Sequence, residues 1–456
     1  MADGAQVGQA WDSGSLRSLF DPATGLLDRR VLADEGIYRL ELERIFARGW
    51  NFMCHESQIP EPGDYFINYI GEDQVIVVRD EEGRVNVLLN TCRHRGNALC
   101  RAEQGHAKSF VCSYHGWNYA LDGRLIGAPG QKTYYHDDLD RDRLGLAKAA
   151  QVDSYLGFYF ATLAPDAPSL HDYLGEVGRT GIGMIAAYGD VEVVDGVQKN
   201  VIGCNWKIAV DNLFDWYHVP YSHASAQSAG FIDIAEILYP KNQMVMLGEY
   251  GHGIGGPGIP REMQDRIDAM SDEERLAYSR TLPSTAPRVR PHAATQLMGP
   301  VGVRSMGHPN IFPNLWVTMS GLQICLRLPR GPSHTELWWF TIVPKGIPPE
   351  ARRAMIRQAN HVFGPAGLLE QDDGENWSQS TRSARGAASR KLGHTLSMGL
   401  GRDTAAPGEG AGASYIETSI NEHGQRWLYR AWTEWMAARD WAELKANHTQ
   451  PPTGVV

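Results

Sequence analysis

Apolar side chains recur at helical spacing between Asp34 and Trp50, with Ile37, Tyr38, Leu42, Ile45 and Phe46 on one stripe and Glu35, Arg39, Glu41, Glu43, Arg44 and Arg48 off it. The pattern predicts an amphipathic helix with Asp34 near its N-cap. From Gly63 to about Leu163 the period shortens to that of strands. Tyr65 to Ile70, Gln74 to Arg79 and Arg84 to Leu89 are rich in β-branched and aromatic residues and are separated by Gly and Asp turns. This stretch reads as all-β, with Tyr155 to Leu163 as its last strand and Ala164-Pro-Asp-Ala-Pro-Ser169 as a boundary. Beyond it, helices and strands mix. Ile324 to Leu328 alternates, Gly331-Pro332-Ser333 turns, and Glu336 to Val343 pairs back as antiparallel sheet. Pro348 and Pro349 open a helix reaching Val362, and Trp427, Tyr429, Trp432 and Trp435 mark an aromatic-rich helix near the end. The second part is therefore α+β.

Gly251-His-Gly253-Ile-Gly255-Gly256 satisfies G-x-G-x-x-G, but Pro257 and Pro260 follow at once and no βαβ pattern surrounds it. Nucleotide binding by this chain is not expected. At 456 residues the chain is long enough for two or three domains. No run of eighteen apolar residues spans a bilayer, and the start, Met1 to Ala10, lacks the basic and apolar regions of a secretory signal. Six cysteines without a disulfide-framework spacing fit a reducing cytoplasm. A net charge of −10 argues against a nucleic-acid partner, because phosphate binding needs clustered Lys and Arg.

Chemistry enters with Cys92-Arg93-His94 and, after seventeen residues, Cys112-Ser113-Tyr114-His115-Gly116-Trp117. Each loop offers one thiolate and one imidazole. Such a set holds either a structural zinc ion or a [2Fe–2S] cluster with two cysteines on one iron and two histidines on the other. Zinc pairs commonly group like ligands, whereas here each loop reads Cys first and His second. The loops resemble the Rieske pattern, C-x-H followed by C-x₂-H-G-W. In a Rieske centre the imidazoles raise the potential to about −150 to +300 mV, against about −400 mV for plant-type ferredoxins.

A second cluster of potential ligands runs from Asn205-Trp206-Lys207 through Asp211 and Asp215 to His218 and His223. Asp215 and His218 share a face if helical, and Pro220 is expected to break the helix and return His223 toward His218. A solvated helix end is the plain alternative. Non-heme Fe(II) sites add one carboxylate to two histidines. Within Leu368-Leu-Glu-Gln-Asp372-Asp373-Gly-Glu-Asn-Trp377, Asp373 shares the face of Leu369 and is chosen, while Asp372 is expected to point elsewhere.

Together these motifs resemble the large catalytic subunit of the Rieske aromatic-ring-hydroxylating dioxygenases, from about Val31 to about Trp441. The resemblance implies an α+β protein with a helical segment (1–48) packed on the catalytic domain. A Rieske [2Fe–2S] domain (49–163) and a helix-grip-like antiparallel-sheet iron domain covered by helices (164–456) would follow. It assigns Cys92, His94, Cys112 and His115 to the cluster, and His218, His223 and Asp373 to Fe(2+). It makes Asp215 the bridge from an iron-ligand histidine to His115 of a neighbouring subunit. It further implies O₂ addition to an arene giving a cis-dihydrodiol, with electrons from NADH through a reductase, a ferredoxin or both. The expected assembly is a homotrimer, with or without a small β subunit (α3β3). The alternative is a monooxygenase or demethylase acting on a carboxylated aromatic. Naphthalene and biphenyl enzymes have four residues between the helix acid and the bridging aspartate. Asp211 and Asp215 enclose three, as in benzoate-type enzymes, while the Glu370 to Trp377 segment points to the biphenyl and polycyclic group. Leu213, Phe214, Trp216, Val219 and Leu369 are candidates for an apolar pocket or for core. A substrate carboxylate would require an arginine, for which Arg304 and Arg327 are the candidates.

Overall fold

Asp64–Ile70, Asp73–Arg79 and Val85–Leu89 form consecutive antiparallel strands in a computed structural model. The structure describes residues 11–231, 242–281, 289–318, 323–410 and 412–456. The first ten residues, on which the reading of the start depends, lie outside that set. The chain divides into two compact units, Phe46–Leu170 and Met1–Ile45 with His171–Val456.

In the unit Phe46–Leu170 the three strands are joined by Gln104–His106 into a four-stranded sheet. In a three-stranded sheet the last strand, Phe158–Thr162, is central and pairs with the first, Asn51–His55, on one side and with Gln151–Tyr155 on the other. Closing the unit through its two ends has a local consequence. The Leu163 N–H and the Thr162 hydroxyl take the carbonyls of Ala47 and Arg48. The helical pattern therefore stops before Trp50: a regular helix covers Glu35–Glu41 and one π turn ends at Phe46. Asp34 caps the start as expected, its Oδ1 accepting from Ile37 N at 2.9 Å. The core of the unit contains Ile67, Ile76, Val78, Leu88, Phe110, Tyr119 and Leu146, and it includes Cys92 and Cys112.

The other unit is built on an eleven-stranded sheet whose paired strands are antiparallel. The Gln323–Pro329 and Thr335–Pro344 strands pair in the expected hairpin, Ile324 opposite Phe340. Residues Gly253–Pro257 are a strand paired with Gln243–Gly248, so the glycine-rich motif is sheet and opens no helix. Its glycines admit aromatic rings. A Cβ on Gly255 would lie 3.0 Å from Phe214, and one on Gly256 would lie 2.7 Å from Trp216.

Helix His423–Ala437 is buried on nearly every side, which its aromatic content requires. The N-terminal segment packs on it: the Ser13 hydroxyl donates to Ala437 O at 2.7 Å. Glu41 of that segment, fully buried, accepts from Lys207 Nζ at 2.5 Å, from Trp432 Nε1 at 2.8 Å and from Trp206 Nε1 at 2.9 Å. Lys207 lies in helix Trp206–Asp211, which leads into the histidine-bearing segment.

Candidate metal centres

Two turns of the same construction carry the Cys–His loops. In each, the cysteine N–H donates to the carbonyl five residues on, Asn97 or Trp117, at 2.9 and 2.7 Å. In each, the glycine four residues on returns its N–H to the cysteine carbonyl at 2.8 Å. Gly96 and Gly116 sit at φ 72° and 74°, where a side chain is strained. The shared spacing C-x₃-G was visible in the sequence and explains why both loops close alike. His94 Nδ1 and His115 Nδ1 converge to 3.1 Å, and the Trp117 ring stacks on His94 with centroids 5.0 Å apart. Around the sulfurs, Tyr119 OH lies 3.3 Å from Cys92 Sγ, and Asn97 Nδ2 donates to Cys112 Sγ at 3.7 Å. Burial would raise the Cys112 thiol. The N–H groups of Tyr114 and His115, with Cys92 and Asn97, outweigh it and lower its pKa, favouring thiolate.

In the other unit His218, His223 and Asp373 bring one ligand atom each within 4.8 Å of one another. The route differs from the sequence expectation in two respects. Asp215 and His218 do not share a helix face. Helix Trp206–Asp211 has ended, and Asp215 Oδ1 instead accepts from the N–H groups of Tyr217 at 2.8 Å and His218 at 3.2 Å. Nor does Pro220 break a helix, because it opens the short helix Val219–Ser222, where its missing N–H is harmless. The two histidines flank that single turn, and their ring centroids lie 5.2 Å apart.

Asp373 descends from helix Leu368–Ala384 and is buried. Its Oδ1 lies 3.2 Å from His218 Nε2 and 3.5 Å from His223 Nε2, yet makes no hydrogen bond. Ligands about 2.1 Å from a common divalent ion and at right angles stand about 3.0 Å apart. These spacings and the orphaned oxygen therefore fit three ligands on one octahedral face. The electrostatics agree. Burial depresses the His218 imidazole, but the Asp373 and Asp215 carboxylates outweigh it and lift it to about 10, so the two carboxylates make this a place that favours positive charge. The Nδ1 atoms at 3.1 Å likewise fit two imidazoles on one tetrahedral iron, whose ligand edges are about 3.4 Å for the same bond length.

Asp372 does not point away. Its Oδ2 accepts from the Ser225 hydroxyl at 2.9 Å and faces His223 Nδ1 at 3.5 Å, on the far side of that ring from Asp373. Asp215 Oδ2 stands in the same relation to His218, 3.6 Å from Nδ1. A carboxylate behind each imidazole would fix which nitrogen is offered to a metal. The sequence signal for Asp372 was its pairing with Asp373, which a helical-face argument alone discards.

Of the apolar candidates, Leu213 packs in the core with Trp316, Trp339 and Trp377, and Phe214 fills the glycine strand. Trp216 stands edge-on to His308 with centroids 5.4 Å apart, and His308 leads to Trp316 at 5.0 Å.

Residues 49–151 match the Rieske [2Fe–2S] domain family, and residues 184–438 match the family of the ring-hydroxylating alpha subunit catalytic domain. Biphenyl 2,3-dioxygenase subunit alpha of Rhodococcus jostii (strain RHA1) is 36% identical over 96% of this chain and 94% of its own length. Benzene 1,2-dioxygenase subunit alpha of Pseudomonas putida is 36% identical over 97% of this chain and 98% of its own. A solved structure of naphthalene 1,2-dioxygenase with indole bound superimposes with a TM-score of 0.80 at 30% identity, covering 94% of this chain and 96% of that one. The chain therefore belongs to the ring-hydroxylating dioxygenase alpha subunits, with a Rieske [2Fe–2S] domain followed by a non-heme iron catalytic domain.

Proposed function

We propose that this chain is the oxygenase component that adds both atoms of O₂ to an aromatic ring to give a cis-dihydrodiol. Cys92, His94, Cys112 and His115 would hold the cluster, and His218, His223 and Asp373 the iron. The observation that carries the reading is the buried, unpartnered Asp373 Oδ1 between two imidazoles, in a chain that also carries the paired Cys–His turns. When bound, the cluster supplies single electrons and the iron supplies O₂ activation.

The chain's own residues do the rest. His218, His223 and Asp373 would hold the iron from one side, as such sites do when they leave room for O₂ and substrate. Trp216 and His308, which continue in ring contacts to Trp316 and Phe363, are the aromatic side chains we assign to meet the arene. Burial lowers His308 to about 3, so it stays neutral and adds no charge beside the site. Asp215, with one oxygen on backbone N–H groups and the other toward His218, is the residue we assign to couple this centre to His115 of a neighbouring subunit in a trimer. An NADH-dependent reductase, alone or with a ferredoxin, is the electron source in this reading, and the cytoplasm is its compartment. A small β subunit completes the assembly if the oxygenase is α3β3. Among the described residues no helix is long and apolar enough to cross a membrane.

Turnover of the purified chain with reductase, ferredoxin and NADH under ¹⁸O₂ tests the reading. Two labelled oxygens on adjacent ring carbons are expected. A product carrying one label, or a demethylated product, refutes it.

A further inference from the structure

Arg327 lies in strand Gln323–Pro329 and is 1% exposed, yet its Nε and Nη1 have no hydrogen-bond partner among the described residues. A guanidinium keeps its charge and carries its N–H donors in one plane, so burying it unpaired is unfavourable unless a ligand completes it. The Trp316 ring covers one face of the guanidinium at 4.4 Å, a contact that uses none of its N–H donors. Glu370 is close enough for its charge to act on Arg327, yet neither Nε nor Nη1 bonds to it. Its Oε1 accepts from Trp339 Nε1 at 3.2 Å, and its Oε2 is itself unpartnered.

The placement points at the candidate iron site. Arg327 shares a sheet face with Cys325, two residues away, and Cys325 packs with Leu213 and Trp377. Leu213 stands two residues before Asp215, and Trp377 one helical turn after Asp373. His308 feels the charges of both Arg327 and His218. Arg304, the other arginine considered from sequence, is already engaged, pairing with Glu417 and donating from Nε to Ile259 O at 2.9 Å.

We infer that Arg327 binds a carboxylate carried by the aromatic substrate, through two parallel N–H···O bonds, and so holds the ring against Trp316 and His308 with its far edge toward His218, His223 and Asp373. A carboxylate matches the planar fork in charge and geometry, whereas an uncharged arene leaves the guanidinium unpaired. The inference rests on the arene-dioxygenase reading and narrows its substrate class.

The test uses the holoenzyme with reductase, ferredoxin and NADH on matched pairs: benzoate and methyl benzoate, 1-naphthoate and naphthalene. Anaerobic calorimetric binding of the same compounds accompanies it. Wild type should bind and oxidise the carboxylates in preference. Arg327→Met should lower kcat/KM for carboxylates on the order of 100-fold with little change for the neutral partners, and Arg327→Lys should fall between. Cluster absorption and iron content report folding. If Arg327→Met loses its cluster, the wild-type binding preference decides. Preference for the neutral partners, or equal loss on both sets in folded Arg327→Met, overturns the inference. Selective carboxylate binding without oxygenation of any compound would sustain the anion site while overturning the dioxygenase reading. Failure both to bind and to oxygenate would overturn both.

Discussion

Lys207→Met tests how the N-terminal segment supports the iron-binding segment. Lys207 is 1% exposed and its Nζ meets Glu41 Oε1 at 2.5 Å, while Glu41 also receives the indole N–H groups of Trp206 and Trp432. Burial disfavours the Lys207 charge, and Glu41 is what offsets it. Methionine nearly keeps the volume, so the cavity contribution is small and the loss is electrostatic. Removing one partner of a buried pair costs about 3–5 kcal/mol, because the other charge is stranded. For a unit of this size each kcal/mol is worth about 2 °C, so the apparent melting temperature should fall by roughly 6–10 °C. In the double variant Glu41→Gln/Lys207→Met the charge is gone and an acceptor for the indoles remains. At least about 2 kcal/mol should return. Scanning fluorimetry of wild type and the variants measures this, with iron retention under a chelator as the functional readout, since helix Trp206–Asp211 leads to His218. A shift under about 2 °C, or a double variant as unstable as the single, would refute the reasoning.

Asp373→Ala should lower iron from three to two atoms per chain by metal analysis and leave the cluster's visible spectrum intact; an unchanged iron content would count against Asp373 as a ligand. Asp372→Asn should weaken iron binding or activity by about 10–100-fold, since the carboxylate behind His223 is lost; an unaltered iron titration argues against that role. Asp215→Asn should leave both metals bound but slow reoxidation of the reduced cluster by O₂ in single-turnover experiments with substrate, and wild-type kinetics in that variant would contradict it. His252 is fully buried, its Nε2 donating to Tyr173 O at 2.7 Å and its Nδ1 accepting from Phe312 N–H at 3.0 Å, so the second contact needs the neutral ring. Burial lowers it to about 4 from an ordinary 6.5. Its contribution is therefore intact above pH 6.5 and is lost as pH falls toward 4, by about 3 kcal/mol in all. Urea titrations across that window should show this slope in wild type and not in His252→Gln.

Local chemistry was legible from the chain alone. Asp34 as a helix cap, the hairpin around Gly331 and the two Cys–His turns each depend on residues within a few positions, where spacing and propensity act directly. Segment ends were less so. The early stop of the first helix depends on carbonyls claimed by Thr162 and Leu163, more than a hundred residues away. The tertiary structure alone decided that Asp372 turns to His223, that Glu41 and Lys207 meet, and that Arg304 is paired while Arg327 is not. Two arginines look alike in sequence because a charge's worth is set by what surrounds it once buried, and that environment is assembled from strands and helices distant along the chain.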